Sequence, residues 1–319
     1  MAAGSGFVRT AAKRALRWSP LRATAVRWAA ARHRGLVLVY HRIVQGPDPG
    51  TGIISSIPHA VLREHVQALL EIGDVGGLTR VVDSPTDDRR PRFAITFDDD
   101  YRTHHDVVLP LLRELGVTAT FFVCGRSLRD MGPTWFEVLD ELVRQDGLRR
   151  TSTLIGAEAR SAEELASACE RSEALQRAVI EHQDAIAVPE DRLEDPHIAA
   201  LAEANMTIGF HTLNHLVLPS LDERRLRHEL IDGRDAVETS ASQEITMFAY
   251  PHGKADARTA AAARDAGYEV AVTGMPRAST PNGDPFLVGR WEPGPSSRND
   301  FLVEIAAKLN RPQKVTSLG

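Results

Sequence analysis

Short apolar runs rich in β-branched and aromatic residues recur along this chain, and segments with helical spacing separate them. The runs LVLVYHRI, RFAITF, TATFFVCG, MTIGF, ITMFAY and YEVAVTG have the length of single strands. Runs of this length that are bounded by turn residues are typical of buried strands. Segments between them, such as 55–74 and 222–238, repeat apolar residues at helical spacing. Strands that alternate with helices in this way favour an α/β protein with a largely parallel sheet or barrel.

One region interrupts the alternation of strands and helices. Residues 126–205 include the stretch SAEELASACERSEALQRAVIEHQDAI, whose Ala- and Glu-rich composition favours helix. We interpret this region as a helical insertion that walls one side of a cleft. It lies within a single catalytic domain, 35–310, which follows a basic segment, 1–34, and precedes a tail, 311–319.

The segment 1–34 carries charge of one sign. It contains eight Lys and Arg residues, and no Asp or Glu precedes Asp48. Arginines interrupt every apolar run, so the segment fits neither a signal peptide nor a membrane span. It suits an amphipathic helix in peripheral contact with an anionic membrane surface, although a basic tail or a helix packed on the domain is an equal alternative. We expect a location in the cytoplasm or at the cytoplasmic face of the membrane.

Composition excludes some classes of function. The net charge of −5 over 319 residues gives no case for nucleic-acid binding. The two cysteines, Cys124 and Cys169, cannot supply a disulfide framework or a cysteine zinc site. The 43% hydrophobic content is enough for a sizeable core.

Three consecutive aspartates, Asp98 to Asp100, follow the run RFAITF. In parallel α/β folds, ligands bind at the carboxyl ends of the strands, and alternation along a strand turns neighbouring side chains in different directions. One aspartate could therefore bind a metal while its neighbour serves as a base. A solvated turn or a helix cap is the alternative, since Asp favours both.

A pair of histidines, His211 and His215, follows the run MTIGF in the sequence GFHTLNH. If a helical turn begins there, both imidazoles lie on one face and reach one cation. Two imidazoles and one carboxylate suit zinc, cobalt, nickel or ferrous iron. Each motif alone is a weak signal, but both would converge at one barrel face, which favours a metal site. A third titratable residue, His41, ends the first apolar run and could act as a general acid.

Four motifs together resemble the polysaccharide deacetylases of carbohydrate esterase family 4, which contain the NodB-homology domain. They are LVLVYHRI, TFDDDY, HTLNH and FAYPHG, and they are spread over roughly residues 36–295. The resemblance implies a distorted (β/α) barrel with seven strands. It implies metal-dependent removal of acetyl groups from an amino sugar, with one divalent ion, Zn²⁺ before Co²⁺ or Ni²⁺. The partner would be an N-acetylated glycan or glycolipid, and no nucleic acid.

The resemblance also implies roles for individual residues. Asp98 would be the catalytic base. His41 would be the acid, as in family members that carry this histidine at the front of the domain. The backbone N–H of Tyr101 would help to hold the oxyanion of the tetrahedral intermediate. The metal ligands would be Asp99, His211 and His215.

The chain departs from the family pattern at two positions. The family commonly has Gly where this chain has Asp100, which could cap the following helix. The arginine that usually orients the base is missing from the motif AYPHG, where Ala249 takes its place. We expect Arg290 in FLVGRW to reach in from a neighbouring strand instead. The residues expected to bind substrate are Tyr250, His252 and Trp291.

These features predict an N-deacetylase that acts on a polysaccharide, an oligosaccharide or a glycolipid and releases acetate. Two alternatives stay open. The same barrel could hydrolyse another non-peptide C–N amide bond, or it could bind carbohydrate without turnover, since the motif arginine is missing. The presence of Asp98, Asp99, His211 and His215 argues against lost turnover, because drift would spoil at least one of them.

Overall fold

A ring of seven parallel strands forms the centre of the protein in the computed structural model. The described residues are 35–46, 52–82, 90–129, 132–185, 192–279 and 283–310. The strands are β1 (Gly35–Tyr40), β2 (Arg42–Val44), β3 (Ser56–Pro58), β4 (Asp74–Gly76), β5 (Arg92–Asp98), β6 (Thr120–Val123), β7 (Thr207–Phe210), β8 (Met247–Ala249), β9 (Val270–Thr273) and β10 (Val288–Trp291). From β5 the ring runs through β6, β7, β8, β9 and β10 to β1, which pairs with β5 again. The prediction of a seven-stranded (β/α) barrel is confirmed.

Helices connect the strands of the ring. They are α1 (His59–Ile72), α2 (Thr79–Val82), α3 (Leu109–Leu115), α4 (Trp135–Asp146), α5 (Leu148–Leu154), α6 (Ala162–Glu170), α7 (Glu173–Ile180), α8 (Asp195–Glu203), α9 (Glu223–Ile231), α10 (Arg234–Ala241), α11 (Ala257–Asp265) and α12 (Arg298–Asn310). A π-helical turn, His104–Val108, leads directly into α3. Outside the ring, β4 pairs with β5, and β2 pairs with β3.

Both faces of the ring strands are buried. On β5, Phe93, Ile95 and Phe97 belong to the main core that the strands share with the helices. Ala94 belongs to a second cluster, which lies inside the ring. Most residues of this cluster come from the strands of the ring. Because side chains alternate along a strand, Asp98 points to the same side as Ala94, into the ring.

Helices α4 to α7 form a unit with an apolar core of its own. Trp135, Leu139, Leu165 and Val179 are among its buried members. Helix α8 instead contributes Ile198 and Leu201 to the main core, so α8 packs as a barrel helix although it lies within 126–205.

A buried carboxylate ties this unit to the chain after β2. Asp140 on α4 is fully buried, and it accepts hydrogen bonds from Arg42 Nη1 over 2.7 Å and Arg144 Nε over 2.8 Å. The backbone N–H groups of Ile53 and Ile54 also donate to it, over 2.7 and 2.9 Å. Four donors satisfy a charge that would be costly to bury alone.

Two segments with helical spacing differ in part from expectation. The segment 55–74 begins with strand β3, and α1 starts only at His59, directly after Pro58. The segment 222–238 forms two helices because Gly233, with a φ of 89°, interrupts it. A left-handed residue at that position ends the regular hydrogen-bond pattern.

Peripheral membrane contact stays a prediction, because residues 1–34 lie outside the described residues. The expected cytoplasmic location, or location at the cytoplasmic face of the membrane, likewise stays a prediction. Within the part of the chain that the structure describes, no helix is both long enough and apolar enough to cross a membrane.

Candidate active site at the carboxyl ends of the barrel strands

Asp98 and Arg290 form a buried ion pair inside the ring. Asp98 is the last residue of β5, and Arg290 lies on β10. Strand β1 lies between these two strands in the ring. Arg290 donates from Nη1 to Asp98 Oδ1 and from Nη2 to Asp98 Oδ2, each over 2.6 Å. Paired hydrogen bonds of this kind fix the orientation of a carboxylate. The structure thus places Arg290 against the predicted base, although Ala249 occupies the motif position.

This environment keeps Asp98 ionised. Burial raises the pKa of the carboxyl group, but Arg290, together with His211, outweighs burial and brings the pKa of Asp98 to about 2. Arg290 is itself held in place, because it also donates to Thr96 Oγ1 over 3.1 Å and to the carbonyl of Thr273 over 3.3 Å. An ionised, oriented carboxylate is the form that a general base requires.

Asp99, His211 and His215 converge where β5 and β7 end. Asp99 Oδ1 lies 3.4 Å from His215 Nε2 and 3.7 Å from His211 Nε2. One possible ligand atom from each of the three buried residues lies within 4.8 Å of the others. The predicted ligand set is therefore assembled in one place.

The hydrogen bonding of this cluster fits a cation. His211 Nδ1 donates to the carbonyl of Ala249 over 2.8 Å, so in the neutral ring Nε2 carries a lone pair. Asp99 Oδ1 faces this nitrogen and has no hydrogen-bond partner among the described residues. Two buried acceptors at this distance are unfavourable unless a proton or a metal cation lies between them. Two imidazoles and a carboxylate suit a divalent ion such as zinc.

Burial shifts the pKa of each ligand in the direction that favours the neutral form of the side chain. Burial, reinforced by Asp98, raises the pKa of Asp99 to about 8. Burial lowers the pKa of His211 to about 4 and lowers the pKa of His215 well below its ordinary value. Neutral imidazoles are the metal-binding form, and a nearby cation would favour the ionised form of Asp99.

A tight turn, and not the predicted helical turn, brings the two imidazoles together. Thr212 has a φ of 67° and His215 a φ of 55°, and left-handed residues of this kind are incompatible with a right-handed helix. The hydroxyl of Thr212 accepts a hydrogen bond from the N–H of His215 over 3.0 Å. Glu229 accepts hydrogen bonds from the backbone and side-chain amides of Asn214, over 2.8 and 2.7 Å. Side-chain contacts therefore determine the shape of this loop.

Asp100 links the two metal-ligand loops. Its Oδ1 accepts a hydrogen bond from the N–H of Cys124 over 2.8 Å, and Cys124 Sγ donates to the carbonyl of His211 over 3.4 Å. The expectation that Asp100 caps the following helix stays a prediction. Tyr101 follows at the same rim, and the oxyanion role of its backbone N–H stays a prediction.

His41 pairs with Glu292 at the same rim. His41 follows β1, Glu292 follows β10, and Nδ1 of the histidine lies 3.0 Å from Oε1 of the glutamate. Burial lowers the pKa of His41, but Glu292, with Asp99 and Asp98, more than offsets it and raises the pKa to about 9. His41 is therefore protonated at neutral pH, as a general acid must be.

His252 lies between the ligand cluster and the unit formed by α4 to α7. Its ring centroid is 4.6 Å from that of His215 and 6.0 Å from that of Trp135. Its Nδ1 lies 3.1 Å from Oε1 of Glu170, the last residue of α6, and Lys254 Nζ contacts the same carboxylate. These contacts, led by the hydrogen bond from His252, lower the pKa of Glu170 to about 2. The helical unit thus reaches the predicted active site.

The other two predicted substrate-binding residues do not reach the cleft, so these predictions are wrong. Tyr250 is fully buried, and its hydroxyl donates to the carbonyl of Phe286 over 3.0 Å. Trp291 stacks on Phe301 of α12 with ring centroids 5.7 Å apart. Side-chain alternation is the reason: Arg290 points into the ring, so its neighbour Trp291 points to the helices.

Two further residues at the site, Glu292 and Glu170, are not among those predicted from the sequence. Glu292 lies two positions after Arg290, so strand alternation, which turns it to the same side, was an available signal. Glu170 had no such signal, because its position depends on how the helical unit docks on the barrel.

The chain matches known proteins in sequence. Residues 86–271 match the family model described as polysaccharide deacetylase, a range that lies between His41 and Arg290. The YxkH protein of Bacillus subtilis strain 168, which is named as a polysaccharide deacetylase, is 22% identical over 198 residues. This match covers 61% of the present chain and 50% of that protein. The chain therefore spans half the length of this curated relative.

Solved structures share the fold of the chain. The Streptococcus pyogenes deacetylase PplD, solved in complex with acetate, matches with a TM-score of 0.59 at 18% identity. The match covers 86% of the present chain and 98% of PplD. IcaB of Ammonifex degensii matches with a TM-score of 0.55 at 17% identity, over 88% of the present chain and 98% of IcaB. At these identities the likeness shows the fold alone.

Proposed function

Because the chain belongs to the polysaccharide deacetylase family, we propose that it hydrolyses the acetamide of an N-acetylated amino sugar and releases acetate. The reaction would depend on a divalent ion, zinc before cobalt or nickel, and the sugar would belong to a polysaccharide, an oligosaccharide or a glycolipid. The observation that carries this proposal is the ionised Asp98 beside the buried set of Asp99, His211 and His215. A base next to a divalent-ion site is the arrangement that amide hydrolysis by water needs.

The residues at the rim have separate roles in the first step, in which water attacks the acetamide. A divalent ion held by Asp99, His211 and His215 would polarise the acetamide carbonyl and lower the pKa of the attacking water. Asp98 accepts the proton of this water, because Arg290 keeps its carboxylate ionised and oriented. The N–H of Tyr101 donates to the oxyanion.

His41 serves the second step, in which the C–N bond breaks. An amine is a poor leaving group unless its nitrogen is protonated as the bond breaks. Glu292 holds Nδ1 of His41, so Nε2 is the atom that delivers the proton. Acetate and a free amino sugar are the products.

We expect the purified chain to release acetate from N-acetylglucosamine oligomers or from bacterial glycans in the presence of Zn²⁺. A chelator should abolish the release, and added Zn²⁺ should restore it, because the ligand set is complete within the chain. Acetate is measured with a coupled enzyme assay. Bound metal without acetate from any acetylated sugar would contradict the proposal, and sugar binding without turnover would favour a carbohydrate-binding protein.

Replacing Glu292 with Gln is expected to shift the alkaline limb of the pH profile of kcat/KM to lower pH. In the native chain, His41 donates its proton only below its pKa of about 9, so activity falls as the pH rises through that value. Loss of the carboxylate charge removes the largest contribution that raises this pKa, and the limb should move by at least about one pH unit. The measurement is kcat/KM between about pH 6 and about pH 10. His41 is expected to titrate within this range both in the native chain and in the variant.

Glu203→Gln is the matched control for this experiment, since Glu203 is an exposed residue of α8. It should leave the profile unchanged. An alkaline limb that stays in place in Glu292→Gln would show that His41 is not the acid.

A further inference from the structure

The side chain of His104 contacts the backbone of the predicted acid, His41. His104 is fully buried, and its Nε2 atom donates a hydrogen bond to the carbonyl of His41 over 2.9 Å. His41 lies between β1 and β2 and belongs to neither strand. His104 therefore supplies a donor to a carbonyl that lies at a break between two strands.

The backbone of His104 is fixed to the turn that follows β5. Its N–H donates to the carbonyl of Tyr101 over 2.9 Å. Its carbonyl accepts a hydrogen bond from the N–H of Leu109, five positions later, in the π-helical turn, and turns of this kind are rare and frequent at functional sites. One residue therefore joins the predicted acid, through its side chain, to the predicted oxyanion donor, through its backbone.

Aromatic residues surround the ring of His104. Its centroid lies 5.3 Å from that of Phe97 and 5.7 Å from those of Phe121 and Tyr101. The other ring nitrogen, Nδ1, is buried and has no hydrogen-bond partner within the described part of the chain. An unpaired buried acceptor lowers stability, and an apolar side chain would fill this aromatic site without that cost. The hydrogen bond to His41 is therefore what a histidine offers here and an apolar residue does not.

His104 holds the backbone of His41 without adding a charge beside it. Burial lowers the pKa of His104 to about 4, so the ring is neutral near neutral pH. A cationic donor at this place would lower the pKa of His41 and oppose Glu292, which raises it. A neutral imidazole holds the acid and leaves its proton in place.

We propose that His104 is a positioning residue for the general acid. Glu292 holds the imidazole of His41 at Nδ1, and His104 holds the carbonyl of the same residue, so both ends of the acid are fixed. Nε2 of His41 then stays directed at the acetamide nitrogen while the C–N bond breaks. This inference rests on the proposed function, in which His41 protonates the leaving amine.

The test compares two substrates that differ in their need for an acid. The amine of an N-acetylglucosamine oligomer leaves only when it is protonated, whereas the phenolate of para-nitrophenyl acetate leaves without a proton. We expect His104→Leu, which has no donor, to lower kcat for the oligomer by roughly 10–100-fold, since a displacement of about 1 Å has an effect of this size. Turnover of para-nitrophenyl acetate and zinc content should stay close to the native values. His104→Gln, whose amide can donate to the same carbonyl, should recover most of the lost activity.

Val108→Ala is the matched control for lost packing. Val108 is fully buried in the same π-helical turn but takes no part in the hydrogen bond to His41. This variant should unfold at a lower temperature because it leaves a cavity, and it should leave the ratio of the two activities unchanged. Native turnover of the oligomer by His104→Leu, or an equal loss on both substrates, would overturn this inference and leave the proposed function standing.

A second measurement is independent of turnover. The imidazole nitrogen NMR signals of His41 in the zinc-loaded chain, assigned with His41→Gln, should change in His104→Leu and stay in place in His104→Gln. A native chain that releases no acetate from any N-acetylated sugar would contradict the proposed function, and these signals would then decide the role of His104. Unchanged His41 signals in a folded His104→Leu variant would overturn that role.

Discussion

Asp98→Asn is expected to lower kcat for acetate release by roughly 10²–10⁴-fold, the usual contribution of a positioned acid or base. The asparagine keeps the size of the side chain but cannot accept the proton of the attacking water. Metal content should stay close to that of the native chain, because the ligand set consists of Asp99, His211 and His215. The measurements are acetate release under saturating substrate and metal content by atomic absorption.

The same substitution has a cost in stability that must be separated from its effect on catalysis. It leaves Arg290, which is 2% exposed, without its counter-charge, and loss of one partner of a buried pair costs about 3–5 kcal/mol. Thermal unfolding therefore has to show that the variant is folded at the assay temperature. Asp235→Asn, in which the replaced side chain is 82% exposed, is the matched control. A folded Asp98→Asn variant with more than a tenth of native activity would exclude Asp98 as the base.

His211→Ala is expected to abolish both acetate release and stoichiometric zinc binding. The imidazole lies 3.7 Å from Asp99 Oδ1 through its Nε2 atom, and Ala249 orients it from the other nitrogen. Loss of an outer hydrogen-bond partner alone lowers metal affinity about 10–100-fold, so we expect a larger loss when the ligand itself is removed. Zinc affinity is measured by competition with a chromophoric chelator.

His105→Ala is the matched histidine control for zinc binding. His105 contacts Asp106 on the protein surface and is not part of the cluster, so this variant should keep native zinc affinity. Full zinc content in a folded His211→Ala variant would contradict the assignment of the ligand set. Zinc loss without loss of acetate release would contradict the metal dependence of the reaction.

Local patterns were sufficient to predict a parallel α/β sheet or barrel, and the family resemblance implied its seven strands and the roles of the residues at its rim. The strand runs and the helices between them predicted a parallel α/β fold, and the motifs at the ends of β5 and β7 identified Asp98, Asp99, His211 and His215 as candidates for a base and a metal site. Asp98 and Asp99 have different partners, as expected, but Asp99 lies beyond the end of β5 with a φ of 72°, so the turn of the backbone and not alternation along β5 sets the direction of its side chain. These inferences succeed because they depend on residues that are neighbours in the chain.

Contacts between distant residues were harder to predict. The tight turn at His211 to His215 depends on the hydroxyl of Thr212 and on Glu229 of α9, which spacing alone does not reveal. Tyr250 and Trp291 are predicted from the sequence to bind substrate, yet both side chains turn into the core. The residue type suggested substrate binding, whereas the direction of each side chain places it in the core.

By itself, the sequence determined which elements form, which chemical groups stand at the ends of the strands, and that these groups suit a divalent ion and a base. The tertiary structure decided the geometry of each contact and most of the partners, although Arg290 was already expected as the partner of Asp98. Arg290 meets Asp98 across 192 positions of the chain, because closure of the ring brings β10 within reach of β5. Glu170 meets His252 because a helical unit with its own core docks on the rim. Periodicity is a property of neighbouring residues, whereas the pKa of a buried carboxylate or imidazole depends on charges that only the folded chain brings close.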